Sequence, residues 1–231
     1  GGLVVIVADD PSGHSSQNEQ DSRWLGKFAE VPVLEPGDPQ EAKDSVRIAC
    51  ELSEKCKLLV LIRSVTRVSH LRGDVNLGDV SEEKRMPNLN RDMVYTGFFA
   101  VPKHRQLHEK FDSIRSVIEK IRFNRLEAKG GEKLGIIAVG VGYAYVKETT
   151  RLLGIDDDVA ILKLGVVNPM PEGLIGGFLQ KYDRIVIIEE GSSFIEEQLK
   201  VMAYEVDRKA TIFGRLTGHI PREGELTTEI V

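Results

Sequence analysis

Leu3-Val4-Val5-Ile6-Val7-Ala8-Asp9-Asp10-Pro11 decides the fold class. The apolar run has no polar interruption and stops at two aspartates and a proline. A strand with one wet face alternates apolar and polar residues. An unbroken run suits a central strand of a parallel sheet, covered on both faces. Such a strand needs neighbours, so the chain reads as starting partway through a domain.

Further strands follow along the chain. Val31 to Leu34 is a short strand fenced by Pro32 and Pro36. Asp38 is a helix N-cap and Pro39 occupies the first helical position. Ala42, Val46, Ile48, Ala49 and Leu52 then give a helical stripe to about Cys56. Leu58 to Ile62 is a buried strand. Strand, helix and strand with short loops imply parallel pairing. Residues 66–105 are polar and irregular, and read as a linker or an arm wrapping a partner. Leu107, Phe111, Ile114, Val117, Ile118 and Ile121 predict an amphipathic helix over 104–121. From Lys133 the alternation is regular. Strands are predicted at 134–141, 159–167, 184–188 and 211–216, and helices at 143–153, 171–182 and 194–208. This is a doubly wound pattern. The tail, 218–231, is polar. The fold class is α/β, with mostly parallel sheets and helices on both faces.

A net charge of -5 with no basic block argues against a nucleic-acid or anionic-membrane surface. No apolar run reaches the ~18 residues that span a bilayer. The two cysteines, Cys50 and Cys56, are not spaced as a metal or cluster motif and fit a reducing, cytoplasmic setting. No metal-ligand set is assigned.

The strongest candidate site is the loop from Asp9 to Arg23. It leaves the C-terminal end of a buried strand, where open α/β sheets hold ligands. Its hydroxyls, amides, carboxylates and guanidinium orient a polar ligand but supply no strong nucleophile. From pattern alone, a solvated surface loop is an equal reading. His14 is either a proton-transfer group or a bystander. Asp9 and Asp10 are either metal ligands or acceptors for backbone amides. Gly135, Gly140 and Gly142 depart from the dinucleotide fingerprint and mark a tight strand-to-helix turn. Glu189 and Glu190 either do acid–base work or cap the next helix.

Several segments carry a resemblance. They are Ala8-Asp9-Asp10-Pro11 with Ser15-Ser16-Gln17-Asn18-Glu19-Gln20-Asp21-Ser22-Arg23, then Asn124, Leu134-Gly135-Ile136-Ile137, Tyr145-Val146-Lys147-Glu148, Pro169-Met170-Pro171, Ile188-Glu189-Glu190-Gly191 and Gly224-Glu225-Leu226. In the same order, and over essentially the whole chain, this resembles the α subunit of the indolepyruvate ferredoxin oxidoreductase family.

The resemblance implies a thiamine-diphosphate enzyme that oxidatively decarboxylates aryl pyruvates to acyl-coenzyme A. Ferredoxin accepts the electrons, a β subunit is a partner, and homo-dimerisation is expected. Residues 1–65 resemble part of the pyrimidine-binding domain. Residues 66–132 form a linker with the amphipathic helix, 133–217 resemble the transketolase C-terminal domain, and 218–231 lead to a missing domain. The activating glutamate, the diphosphate-Mg²⁺ domain and the cysteines for [4Fe-4S] clusters are absent. The chain is therefore expected to hold no complete cofactor and to be inactive alone. No catalytic residue is carried over. Asp9, Asp10, Ser15, Ser16, Gln17, Asn18, Glu19, Gln20 and Arg23 are carried over as active-site wall, with Arg23 placed to pair with the substrate carboxylate. The competing expectations are another 2-oxoacid:ferredoxin oxidoreductase, and a non-catalytic dimerisation or scaffold subunit.

Overall fold

The computed structural model describes residues 2–80, 96–206 and 210–231. Two sheets lie side by side. The first holds β1 (Leu3–Asp9), β2 (Val33–Leu34), β3 (Leu59–Val65) and β7 (Val166–Asn168), in the order β1-β3-β2-β7. β1 and β2 run parallel to β3, and β7 runs antiparallel to β2. The second sheet holds β4 (Arg125–Glu127), β5 (Leu134–Val139), β6 (Val159–Leu164), β8 (Arg184–Ile188) and β9 (Thr211–Phe213), in the order β4-β6-β5-β8-β9. It is parallel apart from β4.

The helices are α1 (Arg23–Phe28), α2 (Pro39–Cys56), α3 (Thr66–His70), α4 (Ala100–Ile118), α5 (Gly142–Leu153), α6 (Glu172–Lys181) and α7 (Phe194–Glu205). α2 starts as its sequence dictates. The Asp38 carboxylate accepts the Glu41 amide at 2.7 Å, and Pro39 follows at a position whose N–H has no helical partner.

One apolar cluster spans both sheets. Val33 and Leu61 of the first meet Ile137, Leu162 and Ile185 of the second, with Phe178 and Phe194. A second cluster packs α2 and α4 against the first sheet through Leu52, Ile62, Ile114 and Ile118. A third draws the tail in, burying Ile220 and Leu226 against Ile136, Ile161 and Ile188.

Several expectations are corrected. Among the described residues β1 pairs only with β3, and Leu3 and Ile6 are exposed, so it is an edge strand there rather than one covered on both faces. The single strand expected over 159–167 is two strands in different sheets. The break falls at Gly165, where a Cβ would sit 2.4 Å from the Phe123 ring. Asn124 Oδ1 accepts both the Gly165 and Val166 amides at 2.9 Å, which fixes the turn between the sheets. α4 begins at Ala100, before the expected 104, because Pro102 lies in the first turn, where a missing N–H costs nothing. The expected linker over 66–105 thus carries α3 and the start of α4, and 81–95 lies outside the described residues. β9 stops at Phe213, and α7 stops before the expected 208.

Candidate active-site wall

The C-terminal ends of β1, β3 and β8 come together, and the loop after β1 lies across them. Asp10 folds that loop. Its carboxylate accepts the amides of His14, Ser15 and Ser16 at 3.1, 2.7 and 2.8 Å, and the Thr66 hydroxyl at 2.7 Å. Those bonds, led by Thr66, hold it well below the usual carboxylate range. Asp9 is buried and accepts the Ser22 amide at 2.8 Å, the Ser22 hydroxyl, and Arg63 Nε.

Arg23 points inward. It is fully buried, and its fork reaches Asp21, Glu189 at 2.7 Å and the carbonyls of Glu190 and Ser192 at 2.8 and 2.9 Å. Burial opposes its charge, but Glu189 and Asp21 outweigh that and raise its pKa above the ordinary arginine value. The expectation that Arg23 meets a substrate carboxylate is therefore corrected. Its donors already hold the loop to the strand end of the second sheet.

Around it lies a buried ionic network. Arg63 binds Asp9, Glu35 at 2.8 Å and the Glu190 carbonyl at 3.1 Å. Arg215 donates to the Glu189 and Pro221 carbonyls. Glu189 accepts the Ile195 and Glu196 amides, so it caps α7, the bland reading of that motif. Burial raises the Glu189 pKa and pushes the Glu190 carboxyl up to about 7, although Glu190 accepts the Leu226 amide. Gly191 passes between Asp21 and Arg63 at φ +93, and a Cβ there would lie 2.9 and 3.0 Å from them.

The other loop residues face outward. Ser15, Gln17, Asn18 and Glu19 are exposed, and Ser16 and Gln20 are half-buried. Gln20 steadies the turn, accepting the Asp10 amide at 3.2 Å and donating to Asn18. Glu19 ties the loop to the tail by accepting the Ser12 and Gly224 amides at 2.6 and 2.9 Å. His14 stands on the exposed side, 3.2 Å from Glu225. A cleft of about 160 Å³ lies between Glu19, Gln20, Asp21, Ser192 and Arg222. The network residues Glu35, Arg63 and Arg215 were not anticipated as functional. The available signal was a charge inside an apolar strand, Leu59-Val60-Leu61-Ile62-Arg63.

A diphosphate-bound Mg²⁺ needs carboxylate oxygens free to ligate it. Here the Asp9, Asp10 and Asp21 oxygens are taken by amides, hydroxyls and guanidinium groups. These residues do not fit a diphosphate-metal centre. Cys50 and Cys56, both free thiols on one helix, do not fit an iron–sulfur cluster. What the loop offers is a preformed polar surface whose solvent-facing edge donates and accepts hydrogen bonds.

A family model described as "Indolepyruvate oxidoreductase domain" matches residues 124–227. The indolepyruvate oxidoreductase subunit IorA of Thermococcus kodakarensis is 46% identical over 238 residues, which cover 99% of this chain and 36% of that protein. The subunit IorA of Pyrococcus abyssi is 45% identical with the same coverage, and that of Archaeoglobus fulgidus is 37% identical over 97% of this chain. The chain's relatives are IorA subunits. The resemblance expected from the loop and the later motifs is borne out. The chain spans about a third of the length of the curated relatives it matches.

Two solved structures share the fold. One is a 2-oxoglutarate:ferredoxin oxidoreductase from Magnetococcus marinus with 2-oxoglutarate, coenzyme A and succinyl-CoA bound. It has TM-score 0.62 and 15% identity, over 92% of this chain and 45% of that one. The other is a split-gene transketolase, an inactive β4 tetramer, with TM-score 0.53 and 14% identity, over 92% and 56%. At these identities the likeness concerns the fold alone, and it agrees with the expected α/β class. Among the described residues no helix is long and apolar enough to cross a membrane.

Proposed function

We propose that this chain forms one wall of the active-site cleft of an indolepyruvate:ferredoxin oxidoreductase. The observation that carries the reading is the similarity to IorA subunits over 99% of the chain, including the loop after β1. Residues 1–65 are read as part of the pyrimidine-binding domain and 133–217 as the transketolase C-terminal-like domain, joined by 66–132. Thiamine diphosphate and the [4Fe-4S] clusters are held elsewhere in the assembled enzyme. Thiamine diphosphate supplies the chemistry that cleaves the bond between the keto carbon and the carboxylate.

This chain's own contribution is positioning. Asp10 and Arg23 hold the loop rigid, and Ser15, Gln17, Asn18 and Glu19 present hydrogen-bonding groups to a 2-keto acid or to cofactor atoms in the cleft. Preorganised polar groups need not reorder when the ligand arrives, which is how such a wall contributes to turnover. Coenzyme A is the acyl acceptor, ferredoxin the electron acceptor, and a β subunit and a second copy of the chain complete the assembly in the cytoplasm. The chain by itself is inactive. The test is steady-state turnover of the intact complex across a panel of 2-keto acids with coenzyme A and ferredoxin. Indolepyruvate and other aryl pyruvates are expected to give the highest kcat/KM. Preference for pyruvate or 2-oxoglutarate would reject the aryl assignment.

A further inference from the structure

Away from the cleft, three side chains that the proposed function does not use converge. His104 and His108 stand one turn apart on α4, with ring centroids 4.3 Å apart. Glu30, just past the end of α1, faces them. The Nε2 atoms of His104 and His108 lie 3.5 and 3.1 Å from one atom, Glu30 Oε2. One ligand atom from each of the three residues falls within 4.8 Å of the others.

Glu30 Oε2 is shielded from solvent and yet accepts no hydrogen bond. His108 Nε2 is instead within hydrogen-bond reach of the other oxygen, Oε1, at 3.3 Å. A carboxylate oxygen withdrawn from water without a hydrogen bond is costly unless a charge meets it. The spacing fits a cation. Zinc holds nitrogen and oxygen ligands at about 2.0–2.2 Å, so neighbouring tetrahedral ligands lie roughly 3.3–3.5 Å apart.

We propose that Glu30, His104 and His108 bind a divalent transition-metal ion, with zinc the expected occupant and water completing its coordination. Two imidazoles and a carboxylate suit zinc, cobalt and nickel, whereas magnesium and calcium favour oxygen alone. The site has a structural use. The buried anchors of α4, Ile114 and Ile118, lie in its C-terminal half. A metal at His104 and His108 fastens the N-terminal half to the turn between α1 and β2.

The test uses tag-free protein stripped with a chelator. Zinc is titrated by calorimetry, and Co²⁺ is followed by its visible absorption. The expected result is one zinc per chain, an intense low-symmetry Co²⁺ spectrum and a higher Tm with zinc. His104→Ala, His108→Ala and Glu30→Gln should each weaken binding at least about tenfold, since even losing an outer-shell partner costs roughly 10–100-fold. His70→Ala, remote from the cluster, should bind as the parent does. Both histidines are exposed on a helix, so alanine there leaves the fold intact, and circular dichroism of the metal-free variants checks this. Two results would overturn the proposal. One is no stoichiometric binding by the parent. The other is unchanged affinity in the His104→Ala/His108→Ala double variant.

Discussion

Replacing Arg23 by methionine tests how the loop is held. The guanidinium is fully buried and engages Asp21, Glu189 and two backbone carbonyls. Methionine keeps much of the length and removes the charge. Glu189 then keeps only the Ile195 and Glu196 amides, and Asp21 keeps the Ser192 contacts. Breaking a buried ion pair from one side costs about 3–5 kcal/mol, because the remaining charge stays uncompensated. Against a typical domain stability of about 5–15 kcal/mol, that is a large share. Urea unfolding followed by circular dichroism reads the loss as a lower midpoint with an unchanged slope. Arg23→Lys should recover little, because one ammonium does not reach all the acceptors of a planar fork. In a double-mutant cycle with Glu189→Gln, the coupling should be on the order of 1–3 kcal/mol. A loss below about 1 kcal/mol for Arg23→Met would refute the reasoning, since that is how a side chain reserved for substrate would behave.

Two more expectations follow from the same region. The Glu190 carboxyl is raised from 4.5 to about 7, chiefly by burial. The folded state therefore holds this proton more firmly than the unfolded chain. The contribution is fully present below about pH 4.5 and is lost as pH rises through about 7, amounting to about 3 kcal/mol. Glu190→Gln should remove that decline, raising stability at pH 8 and leaving it nearly unchanged at pH 4.5, as measured by urea titrations at each pH. Asn124→Ala strands the buried Gly165 and Val166 amides. At about 1–3 kcal/mol for each unsatisfied group, it should cost roughly 2–6 kcal/mol and raise hydrogen exchange at those two amides first. Unchanged exchange there would remove Asn124 from the joint between the sheets.

The parts of the fold legible in the sequence are those set by local rules. The apolar runs of β1, β3, β5 and β8 and the Asp38-Pro39 start of α2 needed only periodicity and capping. What escaped depends on distant partners. β1 reads as a central strand because nothing in Leu3–Ala8 reports which neighbours the chain supplies. The break at Gly165 is invisible until Phe123 and Asn124 are brought against it from some forty positions upstream. Arg23 reads as a loop cation, and its inward turn is set by Glu189 and Ser192 from the far half of the chain. The loop itself was legible as a candidate site, but not which of its polar groups turn outward to solvent. Asp9, Asp10 and Arg23 turned inward to build it, leaving Ser15, Gln17, Asn18 and Glu19 outside. The Glu30 cluster went unread because its third member is far from the histidine pair in sequence.

The most direct test of the wall is kinetic. In the intact enzyme, Gln17→Ala and Asn18→Ala are introduced together, and steady-state constants for indolepyruvate are measured. Both residues are exposed, and neither is part of the buried network. Loss of two hydrogen bonds at about 1–1.5 kcal/mol each should lower kcat/KM by roughly 30-fold to 150-fold, with urea stability unchanged. Unaltered kcat/KM in a variant that folds and assembles would contradict the account, and the loop after β1 would then be a surface loop outside the active site.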